Sequence, residues 1–180
     1  MMKHTDVSGL CYDIHISQQE RYQLMTNNLT LGEARQIIDE AITNYTDFVP
    51  QKTAETIAYA INHDIQLRDY IMGLPNIHGL EKVHDFVMVL TAGIPEEERY
   101  SLYTITALFN YELGLIDMSR ELSDKVTELN PDYNLNNLLK RIFKAEWPGS
   151  VMGAMRKSLH DTVTKTLTDY ADLPIREETY

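Results

Sequence analysis

Several groups of side chains in this chain have the composition that catalysis or metal binding requires. Asp132, Asn134 and Asn136 stand at alternate positions, the spacing with which a calcium-binding loop begins. Such a loop needs glycine at its sixth position for the sharp turn and a bidentate glutamate at its twelfth. Here those positions hold Asn137 and Phe143, so the stronger reading is that these polar residues cap a helix starting near Asn134. His78, His84 and Asp85 have metal-ligating side chains, but no histidine pair stands four residues apart and no cysteine accompanies them. They read as scattered surface or half-buried side chains, and His160 with Asp161 as a helix-surface pair.

Nucleophilic chemistry finds no better support. Cys11 is the only cysteine, and a thiolate there would need a base-bearing pocket beside the N-terminus. No nucleophile-elbow, phosphate-loop, dinucleotide or zinc-protease pattern occurs. The most regular group is acidic: Asp117, Glu121, Asp124 and Glu128 recur at helical spacing and so share one face. Paired carboxylates can hold a cation or move protons, but the same spacing is the solvated side of any amphipathic helix. The stripe is therefore expected to be a contact surface for a partner, with no catalytic residue, metal or cofactor implied.

The elements that would carry these residues are helical almost throughout. Thr30 and Glu33 form a capping box ahead of a stripe of Ala34, Ile37, Ile38, Ala41, Ile42 and Tyr45. A shorter helix over about residues 18–29 precedes it. After Pro50, a helix capped by Thr53 is expected to run with Ile57, Ala58, Ile61, Ile65 and Met72 inward, as far as Gly73 and Pro75. The next carries Leu80, Val83, Phe86, Val87 and Leu90 and stops at Gly93. Pro95 and three glutamates then open a helix over 100–109 that is apolar on most sides and therefore buried.

The acidic stripe belongs to the following helix, whose inner face is expected to be Met118, Leu122, Val126 and Leu129. Glu121 and Lys125 are placed for an i,i+4 ion pair. Leu135, Leu138, Leu139, Ile142 and Phe143 define another helix, ended by Trp147-Pro148-Gly149. Met152, Met155, Leu159, Val163, Leu167 and Tyr170 define the last. Only Cys11–Ser17 alternates with period two, as a strand or extended arm would.

The expected organisation is thus an arm over 1–17, a helical domain over 18–170 and a flexible tail over 171–180. The fold class is all-α, a single compact domain of about seven to eight helices packed as antiparallel hairpins. A chain of 180 residues can bury roughly 70% of its unfolded surface, so it needs no metal or disulfide staple.

Part of this pattern resembles a known repeat. Counting back from Pro131, Gly114 falls on the turn of a tetratricopeptide hairpin, Ser119 and Val126 on the close-packing positions of its second helix, and Tyr103 and Ala107 on its first. Val126 replaces the usual alanine, which implies a slightly splayed hairpin. No second copy follows at a fixed period, so this is not a repeat array. Gly114, Asp117, Ser119, Val126, Pro131 and Tyr133, followed by Leu135, Leu138, Leu139 and Pro148, are similar to the C-terminal helical region of an uncharacterised actinobacterial and phage family, domain of unknown function 4192. The resemblance spans Leu67–Met155 and implies a helical scaffold. That family carries an α/β half ahead of the helices, of which only Tyr12–Ile16 would be a remnant.

A formal charge of -11 speaks against direct nucleic-acid binding, which needs clustered Lys and Arg. The one basic group, Lys140, Arg141, Lys144, Arg156 and Lys157, reads as a solvated face on two helices. No run approaches the ~18 apolar residues of a membrane span, and the N-terminus has no signal-peptide pattern, so a cytoplasmic protein is expected. The favoured function is a non-enzymatic protein–protein interaction module, with 11 tyrosines as amphipathic anchors. The alternative is an acidic inhibitor from a mobile element that occupies a basic nucleic-acid channel on a host protein. A homodimer, through Tyr12–Ile16 or the methionines of the last helix, is a further expectation.

Overall fold

Thr30 starts the first helix as expected: its side chain accepts from the Glu33 backbone N–H, and Glu33 accepts from the Thr30 N–H. The computed structural model describes residues 29–175, and within them the fold is all-α. The arm over 1–17, its strand, and the helix expected before Leu29 lie outside the described residues. In chain order the elements are α1 (Leu31–Thr43), α2 (Gln51–His63), α3 (Ile65–Gly73), the single-turn α4 (Pro75–His78) and α5 (Leu80–Ala92). A 3-10 turn (Glu96–Glu98) leads to α6 (Tyr100–Glu112), then α7 (Ile116–Leu129), α8 (Asn134–Lys144) and α9 (Gly149–Asp169).

The single helix expected from Thr53 to Met72 is two. Asp64 adopts an extended conformation, and its carboxylate accepts from the N–H groups of Gln66 (2.8 Å) and Leu67 (3.1 Å). This caps a new helix where the apolar period alone would continue the old one. Thr53 is not the cap of α2 either; Pro50 holds that place without a side-chain bond. The three glutamates after Pro95 form the 3-10 turn instead of the first turn of α6.

Helix α6 is the centre of the packing, touching α2, α5, α7, α8 and α9. It buries a run from Ser101 to Tyr111 broken only at Tyr103. Two of its buried hydroxyls are matched within the helix: Thr104 donates to the Tyr100 carbonyl and Thr106 to that of Leu102. Gly114, at φ +79, turns the chain from α6 into α7, a conformation that costs glycine nothing.

Helix α7 lies along α6 on a narrower face than the apolar pattern implies. Ser119, Ser123 and Val126 are buried, whereas Met118, expected inside, is 52% exposed. The serines are small enough for the two backbones to approach, and Ser119 donates its hydroxyl proton to the Ala107 carbonyl across the hairpin. Helix α9 packs along α3 and also touches α6 and α1. Its inner face runs through Met152, His160, Val163 and Leu167, with Met155, Leu159 and Tyr170 exposed, so the register differs from the one expected.

The segment 171–175, expected within a flexible tail, is docked. Leu31 N–H donates to the Leu173 carbonyl and Gly32 N–H to that of Ala171, both at 2.9 Å, and Ile175 N–H donates to Leu29. The physical reason is that the first N–H groups of α1 have no acceptor within the helix, and these carbonyls supply one.

Candidate functional site

Ending α2 and starting α3 at Asp64 places Asn62, Ile65 and Arg68 close together at one end of the helical stack. The N-terminus of α6 brings Tyr100 to the same place. The α7–α8 connection adds Asn130, Asp132 and Tyr133, and α8 adds Asn134, Leu135 and Leu138. Together they line a cleft of about 350 Å³. That is near the lower end of the roughly 300–1,000 Å³ typical of ligand sites, enough for one side chain or a small molecule.

Each polar wall of the cleft has a definite state. The Arg68 side chain is only 12% exposed, and its Nε and Nη2 donate to Asp69 Oδ1 at 2.9 and 2.7 Å. Burial alone would lower its pKa, but the neighbouring Tyr133 and Asp69 more than offset this and raise it, so the guanidinium stays charged. Tyr133 shares a 2.8 Å hydrogen bond with Ser101 and meets the Tyr100 ring edge-on at 5.0 Å. Burial, with Tyr133 and Glu98 nearby, pushes the Tyr100 phenol up to about 12, so it remains a donor at neutral pH.

Asn62 is the unusual member. Its Nδ2 donates to the Glu98 carbonyl at 2.9 Å, which fixes the amide orientation because a carbonyl can only accept. Its Oδ1 is then buried and accepts no hydrogen bond from any described residue. An unmatched buried acceptor of this kind costs about 1–3 kcal/mol.

The residues singled out by sequence fall elsewhere. Asp117, Glu121, Asp124 and Glu128 are all exposed on the outer side of α7. Lys125 Nζ stands 3.8 Å from Glu121, as the spacing implied, and Lys140 Nζ stands 3.9 Å from Asp124. Two of the four carboxylates thus carry their own counter-cation. Asp132 and Asn134 are exposed at the cleft, but Asn136 is buried and binds α7: it donates to the Ser123 carbonyl (2.9 Å) and accepts from the Ser123 hydroxyl (2.7 Å). The α8 cap residue is Tyr133, with no side-chain capping bond, so the capping reading of these residues is replaced by a bridge between helices.

His84 pairs with Asn110 at 2.9 Å, and no group of three or more metal-ligating side chains exists among the described residues. Cys11 lies outside them. Arg156 does not belong to a solvated basic face: its side chain is 10% exposed and clasps both Glu112 oxygens at 2.7 and 2.9 Å.

A second polar cluster, unforeseen from sequence, joins α1, α3 and α9. His160, expected on the surface, is buried and stacks on Tyr70 at 5.7 Å, and its Nδ1 has no hydrogen-bond partner. Tyr70 donates to Asp39 at 2.7 Å under the Arg35 guanidinium, which lies 5.1 Å from the ring centre. Burial and the Asp39 hydrogen bond push Tyr70 up to about 12, and burial lowers His160. The one signal in the sequence was that position 160 shares the helical face of Met152, Val163 and Leu167.

No described helix is long and apolar enough to cross a membrane. No family model, curated protein or solved structure matches this chain.

Proposed function

We propose that this protein is a non-enzymatic helical interaction module that receives a segment of a partner protein in the cleft between α3 and α8. The observation that supports this is the cleft's composition. Ile65, Leu135 and Leu138 form apolar walls, and Tyr100, Tyr133, Arg68 and Asn62 complete the lining beside them. Aromatic residues and arginine around a desolvated centre are the usual anchors of protein contacts. A crosslinking residue introduced at Leu138 is expected to capture one partner from native extract, and the same residue at the exposed Met88 of α5 is not. Equal capture at both sites, or turnover of a small metabolite with no partner recovered, would count against the module.

The acidic inhibitor remains the second reading, supported by the exposure of Asp117, Glu121, Asp124 and Glu128. It is weakened by Lys125 and Lys140, which halve the local density of uncompensated charge. Capture lost at high salt and insensitive to the Leu138 position would favour it.

A further inference from the structure

We infer that His160 is an acid-sensitive latch: when its imidazole takes up a proton, the part of α9 beyond it and the segment 171–175 leave α3 and α1 while the other helices hold. The latch is independent of the cleft and lies where α9 packs along α3. The docked geometry has no place for an imidazolium. His160 is 8% exposed, its ring stacks on Tyr70, and Nδ1 faces Gly73, too close for a Cβ to fit between them. Nδ1 has no hydrogen-bond partner among the described residues. A protonated ring donates from both nitrogens, and a buried charge is tolerated only when paired and hydrogen-bonded.

The charged groups around the ring do not supply that pairing. On α1, Asp39 already accepts from Tyr70 and stands 3.7 Å from Arg35. On α9 itself, Asp161 favours the proton, while Arg156 opposes it, as Arg35 does from α1. The facing group on α3 is the Tyr70 phenol, a donor to Asp39, and on α6 Glu112 is engaged by Arg156. Burial and the arginines hold the imidazole below its ordinary value, so it binds a proton more tightly once it reaches water. Above about pH 6.5 the docked form carries no penalty, and below it the released form gains the proton and becomes more populated.

Release is local because α9 is held unequally along its length. Ahead of His160, Arg156 ties the helix to Glu112 of α6 and to Asn76 of α4. Beyond it, Val163 and Leu167 are the buried apolar side chains, and Thr164 Oγ1 is buried without a partner. A stretch with so few buried apolar contacts opens before the core does. The chain then runs on to Ala171 and Leu173, whose carbonyls accept from Gly32 and Leu31. Loss of those bonds at the start of α1 therefore reports that α9 has left.

Amide exchange of the full chain, expressed as protection relative to the unfolded rate at each pH, tests the latch at about pH 7.5 and about pH 5. Protection at Leu31, Gly32, Val163 and Leu167 is expected to fall by about tenfold at the lower pH. At both pH values it should lie well below protection at Ile105 and Phe109, because the released form is reached without unfolding α6. His160→Phe keeps a ring on Tyr70 and cannot take the proton, so the fall should vanish. In the unaltered protein, the His160 Cε1 proton and the Leu31 and Gly32 amides should titrate with one midpoint, which keeps the test valid if the variant fails to fold.

Unchanged protection at the lower pH, or the same fall in His160→Phe, overturns the inference. Protection at Val163 and Leu167 equal to that in α6 overturns it too, since the segment would then leave only when the whole domain unfolds. So does an imidazole that titrates while the Leu31 and Gly32 amides stay still.

Discussion

The imidazole of His160 occupies the space that a side chain at position 73 would need: a Cβ on Gly73 would lie 2.1 Å from His160 Nδ1. The contact joins α3 to α9 without a hydrogen bond, because Nδ1 has no partner. Gly73→Ala must therefore displace the imidazole from its stack on Tyr70, and overpacking of this kind costs about 1–3 kcal/mol. Chemical denaturation of Gly73→Ala should show that loss. The same substitution made in a His160→Ala background should cost clearly less, since the clashing atom is gone. Equal costs in both backgrounds would mean that the two residues do not oppose each other.

Burial of His160 also predicts a pH dependence. The groups around it are Asp161 and Arg156 on α9, Arg35 and Asp39 on α1, and Tyr70 on α3. Burial, with the two arginines, outweighs the two carboxylates and lowers its pKa below the ordinary value of about 6.5. The unfolded chain then binds the proton more readily than the folded one, so stability rises with pH across this window. The contribution is complete above about pH 6.5 and is lost as pH falls toward the folded-state pKa. His160→Phe keeps a flat ring against Tyr70 and removes the titration. Its unfolding free energy should fall less steeply than wild type below that pH, and parallel curves would place the pH dependence on another histidine.

Glu112 and Arg156 make the best-shielded ion pair among those described, with side chains 14% and 10% exposed. Arg156 also donates to Asn76, so one guanidinium ties α9 to the end of α6 and to α4. Removing one partner leaves the other charge desolvated, which costs about 3–5 kcal/mol. Glu112→Gln should approach the lower figure, and Arg156→Met should be similar. The double substitution should cost much less than the sum, because no charge is then stranded. Calorimetric melting of the three variants measures this, and additive losses would show that the pair is no better than a surface bridge.

How far the fold could be read in advance follows from the range of the interactions. The Thr30–Glu33 box is local, three residues apart, and was legible as such. So were Gly114 at the turn and the burial of α6, which is apolar on nearly every side. The break at Asp64 has no signature in the apolar pattern, because Ile61 and Ile65 continue the helical period straight across it. Arg156 looked like part of a basic face until Glu112, forty-four residues earlier, came against it. The candidate cleft had no signal of its own, since it joins α2 and α3 to α8 across some seventy positions of chain. The acidic stripe was legible as an exposed face, but the Lys140 that tempers it belongs to the next helix.

The segment after α9 provides the last test. A free tail from Ala171 would contribute nothing to α1, yet Ala171 and Leu173 accept from the first two N–H groups of that helix. Leu31 is buried beneath this contact, and a Cβ on Gly32 would come 2.9 Å from Ala171 Cβ, so the strands of chain meet without spare room. A chain ending at Tyr170 should lose about 1 kcal/mol, the net worth of a hydrogen bond or two whose N–H groups water can partly recover. The sharper readout is local. Amide exchange at Leu31 and Gly32 should accelerate in the truncated chain, with exchange at Ile105 and Phe109 in α6 changed only by the global loss. Gly32→Ala should accelerate the same two amides by pushing Ala171 away. Unchanged exchange at Leu31 and Gly32 would mean that these N–H groups find another acceptor, and that the segment is a passenger on α1 instead of its cap.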